Sequence, residues 1–246
     1  MKRISVLKFL VKKGECSDEE EAEGIVSARR CVVDGKTILN PKAQVSPDAT
    51  FKILPESKPV SRARYKLEGA LNTFDIDVKD KVCADLGAST GGFTELLLER
   101  GAKQVFAVDT AKGELDWKLR SDERVVVMDG VNAASLEELP IAPSLVTIDI
   151  SLVSLEHILP AVKRFADQGC ELLALIKPQY ELLPEEVPEG GVVNDPLLHK
   201  KACLKVTEFS KELGFSVHGV MESELKGKSG NQEFVLYAAL APSESS

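Results

Sequence analysis

The chain has 246 residues, of which 43% are hydrophobic and 28% are charged, and its formal net charge is -8. This length and apolar content suit one large domain with a small appendage around a sizeable core. No apolar run approaches the ~20 residues of a membrane-spanning helix, and the basic N-terminus leads into no secretory signal. We therefore expect a cytoplasmic protein that does not span a membrane.

Cysteine and histidine usage argues against disulfides and metal sites. The five cysteines are widely spaced, form no CxxC pair and have apolar neighbours. An odd number in such settings is typical of reduced cytoplasmic thiols. The three histidines have no metal-ligand spacing, so we expect no metal cofactor.

Charge is unevenly distributed along the chain. Residues 1–66 contain 14 lysines and arginines against 9 aspartates and glutamates, a net of +5. Residues 67–246 contain 17 against 30, a net of -13. A basic module joined to an acidic body suggests nucleic-acid docking at one end, although an ordinary solvated surface explains the same numbers.

The N-terminal region predicts two helices followed by short strands. Residues 4–13 have an amphipathic helical pattern, and Ser17 with Glu20 three residues later predicts a capping box at the start of a second helix. Residues 31–39 have the pattern of a hairpin. Residues 51–54 predict one further strand, so this region is expected to form a small α+β unit.

A linker is predicted at 55–60, because its two prolines cannot continue a helix or an inner strand. Strand and helix patterns alternate after it, which predicts a mostly parallel sheet covered on both faces. The predicted strands are 82–86, 104–109, 124–128, 144–150, 171–177, 215–222 and 233–240, and the predicted helices are 62–74, 92–100, 113–119, 152–167 and 196–213. The proline- and glycine-containing loop 182–194 is a candidate lid, and 242–246 is predicted to be a disordered tail.

One glycine-rich turn indicates a cofactor. The sequence from Asp85 to Phe93 (DLGASTGGF) follows a strand pattern and leads into a helix pattern. Such a turn lets a ligand approach the backbone closely, with amide N–H groups pointing at it. Its spacing departs from the G-x-G-x-x-G of dinucleotide enzymes. The motif therefore predicts a nucleotide-like cofactor without naming it.

Acidic residues at three consecutive strand ends narrow the choice of cofactor. Asp109 is placed to bind a ribose diol, Asp129 to reach an adenine amino group, and Asp149 ends the next strand. Each alone could be a surface carboxylate that caps the next helix, but together they favour a cofactor site. The chain has no phosphate-binding lysine in a P-loop arrangement. A cofactor with adenosine and no phosphate fits best, and S-adenosylmethionine is the obvious candidate.

Four residues carry the predicted chemistry. Lys177 ends a buried strand, where a charged lysine is costly unless it has a partner, and Asp149 ends the neighbouring strand. Lys66 lies on the helix before the first strand of the sheet, and Glu233 begins the last strand. Lysine and carboxylate side chains that share a cleft can hold a ribose 2′-hydroxyl, and the lysine can accept its proton. Two unrelated surface ion pairs remain the alternative.

The chain resembles the TlyA family of ribosomal RNA 2′-O-methyltransferases, often labelled haemolysin A. The resemblance covers nearly the whole chain and is carried by Ser61–Glu68, Asp85–Phe93, Gly113–Arg120, Ile176–Glu181, Gly191–Pro196 and Gly230–Phe234. It implies an FtsJ-like, Rossmann-like α/β methyltransferase domain with a seven-stranded sheet over 61–241. It also implies that Lys66, Asp149, Lys177 and Glu233 form a catalytic tetrad.

The same resemblance implies cofactor and RNA contacts. The residues expected around S-adenosylmethionine are Asp85, Gly87, Ser89, Gly91, Phe93, Asp109, Asp129 and Asp149. Residues 1–54 resemble the small RNA-binding domain of a ribosomal small-subunit protein, although Arg3-Ile4-Ser5 departs from the family's usual Arg-Leu-Asp. The RNA contacts expected are Lys12, Lys13, Arg29, Arg30, Lys36, Arg62 and Arg64.

The resulting hypothesis is S-adenosylmethionine-dependent methylation of a ribose 2′-hydroxyl, that of cytidine in ribosomal RNA, with ribosomal RNA or ribosomal subunits as partners. A membrane-active lysin is the rival class, and the sequence offers it no span, no signal and no strongly amphipathic basic helix. A non-catalytic RNA-binding module is a third possibility, against which the intact tetrad argues.

Overall fold

The computed structural model describes residues 3–27, 30–54 and 59–241. The predicted RNA contact Arg29, positions 55–58 of the predicted linker and the predicted tail 242–246 lie outside the described residues. The chain divides into two compact units, of which the first ends at Lys58 and the second begins at Pro59.

Two helices form one layer of the small unit. Helix α1 (Val6–Lys12) begins after Ser5, whose side chain accepts a hydrogen bond from the backbone N–H of Leu7. Helix α2 (Glu19–Ser27) buries one face and carries three glutamates in its first turn, where the helix dipole favours negative charge.

The predicted cap of α2 is wrong by one residue. Asp18, not Ser17, accepts the hydrogen bond from the backbone N–H at the third helical position, Glu21. Glu21 returns the bond by accepting from the backbone N–H of Ser17 at 2.7 Å. Asp18 therefore caps α2, and Glu21 binds the backbone N–H of the residue before the cap, so the reciprocal pair of a capping box is not formed between Ser17 and Glu20.

Short antiparallel strands complete the small unit. The predicted hairpin is confirmed, because β2 (Cys31–Val33) pairs with β3 (Lys36–Thr37) around Asp34 and Gly35, which both have positive φ. Strand β5 (Phe51–Ile53) pairs with the other edge of β2. A second pair, not predicted, joins β1 (Ile4–Ser5) to β4 (Gln44–Val45).

The large unit contains one seven-stranded sheet, which confirms the predicted fold class. Its strands are β6 (Val82–Leu86), β7 (Gln104–Asp109), β8 (Val125–Asp129), β9 (Leu145–Ile148), β10 (Glu171–Ile176), β11 (Phe215–Glu222) and β12 (Phe234–Leu240). Their order is β11-β12-β10-β9-β6-β7-β8. The neighbours from β8 to β10 are parallel, and β12 is antiparallel to both β10 and β11.

Helices cover both faces of this sheet. They are α3 (Arg64–Thr73), α4 (Gly92–Glu99), α5 (Trp117–Arg120), α6 (Leu159–Phe165), α7 (Pro178–Glu181) and α8 (Pro196–Glu212), with 3-10 turns at Ala133–Ser135, Leu155–His157 and Pro184–Glu186. Alternate residues of β7 join different apolar clusters: Phe106 and Val108 contribute to one, Val105 and Ala107 to the other. A strand buried on both faces explains why its sequence is continuously apolar.

Two predicted helices are shorter than expected. The pattern over 113–119 gives only the four residues of α5, because Asp116 caps the helix by accepting from the backbone N–H of Lys118. The pattern over 152–167 is divided into the 3-10 turn Leu155–His157 and α6. The residues before each helix are therefore free to form loops at the edge of the sheet.

The strand order reverses at β6, which lies between β7 and β9. In open α/β sheets such a switch point leaves a crevice at the carboxyl ends of the strands, where ligands bind. Among the described residues, no helix is long and apolar enough to cross a membrane.

Candidate active site

The glycine-rich turn lies at this switch point. It joins β6 to α4, and Gly87, Ser89 and Gly91 all have positive φ. A Cβ on Gly87 would lie 2.7 Å from the backbone oxygen of Asp149, so a side chain there would collide with the end of β9. Gly91 allows close packing against α5, because a Cβ at this position would lie 2.2 Å from the Leu119 side chain.

A pocket of about 550 Å³ opens beside this turn, on the side of β7. Its lining includes Gly87, Ser89, Asp109, Glu114 and Asp149. The Asp109 carboxylate accepts hydrogen bonds from the backbone N–H groups of Ser89 at 2.7 Å and Ala111 at 2.8 Å. One oxygen is used by each bond, and a carboxylate oxygen can accept a second. Asp109 is thus held rigidly and still able to accept from a ligand's diol.

Asp85 does not reach this pocket, contrary to the prediction. Its side chain is 0% exposed, and it accepts hydrogen bonds from the hydroxyls of Thr94 at 2.7 Å and Thr147 at 3.2 Å. Burial away from water raises the pKa of Asp85 to about 7, and the two hydroxyls oppose that rise. Asp85 links β6 to α4 through Thr94, on either side of the turn. It is not among the residues that line either pocket at the switch point.

Asp129 is likewise not part of the pocket lining. Its carboxylate pairs with Arg120 at 2.5 Å and accepts from the backbone N–H of Gly113 at 3.0 Å. The Arg120 hydrogen bond is the main reason that the pKa of Asp129 is lowered. Asp129 therefore holds the loop before α5 in place through these two contacts. Its predicted contact with adenine stays a prediction.

The four predicted catalytic residues form two ion pairs. Lys66 Nζ lies 2.5 Å from Glu233 Oε2, and Lys177 Nζ lies 2.6 Å from Asp149 Oδ1. Lys177 Nζ also donates to the hydroxyl of Ser151 at 2.9 Å. Lys66, Lys177 and Glu233 are at most 9% exposed. Buried ammonium groups persist only when such partners compensate for lost hydration.

Both ion pairs line a single pocket of about 380 Å³. Its lining also contains Phe93 from the start of α4 and Gln179 and Tyr180 from α7. We call this pocket the substrate-side pocket and the one beside Asp109 the cofactor-side pocket, after the ligands predicted for them. The two pockets adjoin and share Gly87, Ser89, Asp149 and Ser151. A molecule in one pocket can therefore meet a molecule in the other at the Asp149–Lys177 pair.

The predicted RNA contacts differ in availability. Lys12, Lys13 and Lys36 are exposed in the small unit, whereas Arg30 is half-buried and donates to the backbone oxygen of Leu54 at 2.9 Å. Residues 1–58 contain 11 lysines and arginines against 9 aspartates and glutamates. Much of the basic excess seen over residues 1–66 thus belongs to the start of the large unit.

Arg62 and Arg64 have opposite environments. Arg62 is exposed and lines the substrate-side pocket. Arg64 pairs with Glu99 at 2.5 Å and with Glu95 at 3.1 Å, and its side chain is only 14% exposed. The Glu99 hydrogen bond is the main cause that raises the pKa of Arg64. Arg64 therefore links α3 to α4 through these ion pairs, and its predicted RNA contact stays a prediction.

Two residues near the predicted site, Ser151 and Glu181, were not predicted from the sequence. The position of Ser151, two residues after Asp149, is the one feature of the sequence that could have indicated it. Glu181 is 3% exposed and accepts from the hydroxyl of Ser154 at 2.6 Å and the backbone N–H of Leu155 at 2.9 Å. It thereby ties the segment after Lys177 to the segment after Asp149. Burial raises the pKa of Glu181.

The candidate lid is anchored near its C-terminal end. Val193 is 0% exposed, and its backbone N–H donates to the side-chain oxygen of Asn231 at 2.8 Å. The amide of Asn231 donates in turn to the backbone oxygen of Gly191 at 2.9 Å. The C-terminal part of the loop 182–194 is thus fastened to the segment that precedes Glu233.

Several known proteins are similar to this chain. The family described as FtsJ-like methyltransferase matches residues 59–240. Over 240 residues, 96% of this chain and 90% of the relative, the chain is 40% identical to the 16S/23S rRNA (cytidine-2'-O)-methyltransferase TlyA of Mycobacterium tuberculosis. A solved structure described as a candidate hemolysin of Streptococcus thermophilus is 36% identical, with a TM-score of 0.74 over 99% of this chain and 90% of that one.

A more distant solved structure shares the fold. An S-adenosylmethionine-dependent methyltransferase of Listeria monocytogenes is 14% identical, with a TM-score of 0.56 over 74% of this chain and 100% of that one. The family resemblance inferred from the motifs is confirmed by these similarities taken together.

Proposed function

The chain belongs to the FtsJ-like methyltransferase family, in its TlyA branch, and from this premise we propose that it methylates the 2′-hydroxyl of a cytidine ribose in ribosomal RNA. One observation carries the proposal: the Lys66–Glu233 and Lys177–Asp149 ion pairs line one pocket, and that pocket adjoins a second one at Asp149. The two pockets suit a substrate and a cofactor that react where they meet.

The cofactor is S-adenosylmethionine, and the described residues fit it. Gly87 leaves room for a close approach to the backbone, and Asp109 retains acceptor capacity for the ribose diol. Asp149 and Ser151 lie where the two pockets meet. When bound, this cofactor supplies a methyl group activated by a sulfonium.

Lys177 is the proposed proton acceptor. A ribose hydroxyl is a poor nucleophile, so the hydroxyl oxygen must lose its proton as it gains the methyl group. The Nζ of Lys177 takes that proton, which requires that Lys177 has first released its own proton to solvent. Asp149 and Ser151 hold Nζ at 2.6 and 2.9 Å, and the Asp149 carboxylate stabilises the ammonium that forms.

Lys66 and Glu233 position the ribose. Their ion pair is nearly inaccessible to water, so both side chains present fixed donors and acceptors to the pocket. Holding the hydroxyl in line with an already activated methyl group supplies much of the rate enhancement. The four residues thus divide into a proton-accepting pair and an orienting pair.

The name of one relative supports the proposed substrate. The Mycobacterium tuberculosis relative is named for cytidine 2′-O-methylation of 16S and 23S rRNA. We propose the same chemical class here, with ribosomal RNA or a ribosomal subunit as partner and the cytoplasm as the place of action.

The proposal is tested by incubating the pure protein with labelled S-adenosylmethionine and ribosomal subunits that lack the modification. Digestion to nucleosides should yield labelled 2′-O-methylcytidine. Label in a base, or no label in RNA at all, would overturn the proposal, and RNA binding without transfer would favour a non-catalytic binding module.

The name of the Streptococcus thermophilus relative motivates one further control. A vesicle-leakage assay on the same protein tests the lysin alternative directly. Leakage that persists in Lys177→Ala, together with no methyl transfer by the wild type, would favour that alternative.

A further inference from the structure

The loop between β11 and β12 carries two lysines at the mouth of the substrate-side pocket. Lys226 and Lys228 are both exposed and both line that pocket. Arg62 lines it too, and its guanidinium donates to the backbone oxygen of Lys226 at 3.2 Å. Three cationic groups therefore share one rim.

These cations differ from the other basic residues of the pocket because no carboxylate neutralises them. Lys66 and Lys177 have Glu233 and Asp149 as partners. Among the ion pairs of residues 3–27, 30–54 and 59–241, none involves Arg62, Lys226 or Lys228. The rim thus bears an uncompensated positive charge.

The rest of the large unit makes this rim unusual. Residues 59–246 contain 20 lysines and arginines against 30 aspartates and glutamates. An acidic body repels a polyanion, so a local cationic rim is needed wherever an RNA strand enters.

The lysine loop is also fixed in place. The backbone N–H of Gly227 donates to the backbone oxygen of Asn231 at 2.9 Å, and that of Gly230 donates to Gly227 at 3.0 Å. Ser229 accepts from the side-chain amide of Asn231 at 3.2 Å. Because Gly227 itself lies against Glu233, the lysines on either side of it keep a set position relative to the tetrad.

We propose that Lys226 and Lys228, together with Arg62, form a binding site for the phosphodiesters that flank the target ribose. This inference rests on the proposed function, because a ribose hydroxyl held by the tetrad brings its two adjacent phosphates to the mouth of the same pocket. Lysine and arginine are the usual partners of phosphate oxygens, and such contacts set register without reading sequence.

The alternative anion is the carboxylate of the cofactor. Lys226 and Lys228 line only the substrate-side pocket, whereas the cofactor-side pocket is lined by Asp109 and Glu114 without either lysine. Their position therefore favours RNA over the cofactor, and the two are separated by measuring the affinity for each.

The test uses the full-length Lys226→Gln/Lys228→Gln double variant. The matched control is Lys79→Gln/Lys103→Gln, which removes the same charge from two exposed lysines before β6 and β7, at the opposite edge of the sheet. For each protein we would measure the KM for ribosomal RNA, the salt dependence of RNA binding and the Kd for S-adenosylmethionine.

The Lys226→Gln/Lys228→Gln variant should raise the KM for RNA about tenfold or more at moderate salt. A plot of the logarithm of its RNA-binding constant against the logarithm of salt concentration should be less steep than that of the wild type by about 1 to 2. Its Kd for S-adenosylmethionine and its kcat at saturating RNA should stay within about twofold of the wild type. An RNA KM and salt slope equal to those of the control would overturn the inference, as would a weakened cofactor affinity with unchanged RNA binding. If the wild type transfers no methyl group, the proposed function fails. The phosphate site is then still tested by comparing the salt dependence of RNA binding between the double variant and its control.

Discussion

Gly227 lies directly against the carboxylate of Glu233: a Cβ on Gly227 would be 2.3 Å from Glu233 Oε1. A side chain at this position must displace the carboxylate, and with it the ion pair to Lys66. Gly227→Ala should therefore lower kcat by about 100-fold, because misplacing a catalytic group by about 1 Å has that effect. Cofactor affinity should be retained, since Gly227 is not part of the cofactor-side pocket lining.

Gly69→Ala is the matched control for this variant. Gly69 lies on α3, three residues after Lys66, and its Cβ would meet Glu224 at an ordinary 3.7 Å. It should keep wild-type activity and gain slightly in stability, because alanine favours helix. Equal activity in Gly227→Ala and Gly69→Ala would show that the Gly227–Glu233 contact has no catalytic consequence.

The Lys66–Glu233 pair is expected to be both structural and functional, and a double-mutant cycle separates the two roles. Lys66→Met and Glu233→Gln each leave one buried partner without its counterpart, which should cost about 3–5 kcal/mol in the free energy of unfolding. The double variant should regain much of that loss, because no lone charge remains. Urea unfolding and methyl transfer would be measured on all four proteins.

Activity decides between the roles. All three variants should be inactive if the pair orients the ribose. A stable double variant with wild-type transfer would reduce the pair to a structural ion pair, which is the alternative that the sequence left open.

Glu181 is expected to position the catalytic groups without touching substrate. Its carboxylate joins Ser154 and Leu155, on the segment after Asp149, to the helix that follows Lys177. Glu181→Gln should lower kcat by about 10-fold or more, with the Kd for S-adenosylmethionine unchanged. Single-turnover methyl transfer and cofactor titration would measure the two quantities.

Glu171→Gln provides the comparison for Glu181→Gln. Glu171 also lies in an ion pair, with Lys81, but at the opposite end of β10, where it accepts a hydrogen bond from Tyr237 at 2.9 Å. This variant should lose stability and keep its kcat. If Glu171→Gln and Glu181→Gln affect kcat equally, the effect of Glu181 is general destabilisation.

Asp85 should make the stability of the protein depend on pH. Burial raises its pKa from 3.8 to about 7, so between these values the folded protein holds a proton that the unfolded chain has released. The free energy of unfolding therefore falls as pH rises through this window, with a contribution of at most about 1.4 kcal/mol per pH unit. Asp85→Asn removes this contribution.

Urea unfolding at pH 5 and pH 8 measures the effect. The stability of Asp85→Asn relative to the wild type should improve from the lower to the higher pH. A difference between the two proteins that does not change with pH would mean that Asp85 is charged at both, contrary to its burial.

The sheet, and the convergence of the four predicted catalytic residues on one pocket, could be predicted because many of the signals are local. Each strand of the large unit is a short apolar run, and Lys177 and Asp149 follow directly after two such runs. Parallel strands bring these ends together at one edge of a sheet. The resemblance to the TlyA family then grouped Lys66 and Glu233 with them.

Contacts between residues that are distant in sequence could not be predicted. Nothing near Arg64 in the sequence indicates its ion pairs with Glu95 and Glu99, which are more than 30 residues away. Asp85 was predicted to contact the cofactor, but it is buried and accepts a hydrogen bond from Thr147, 62 residues away. The sequence shows where a charged residue lies along the chain, whereas tertiary packing decides which residue it pairs with. Only the structure therefore distinguishes an arginine held in ion pairs from an unpaired one.

Our main proposal is that Lys177 accepts the proton of a ribose 2′-hydroxyl while both ion pairs hold the reacting groups. Its most direct test is single-turnover transfer of labelled methyl from S-adenosylmethionine to ribosomal RNA by the wild type and by Lys177→Ala, with cofactor affinity measured in parallel. We expect 2′-O-methylcytidine from the wild type, a rate lower by about 100-fold or more in Lys177→Ala, and cofactor affinity retained within a few-fold. Undiminished transfer by Lys177→Ala would rule out this role of Lys177.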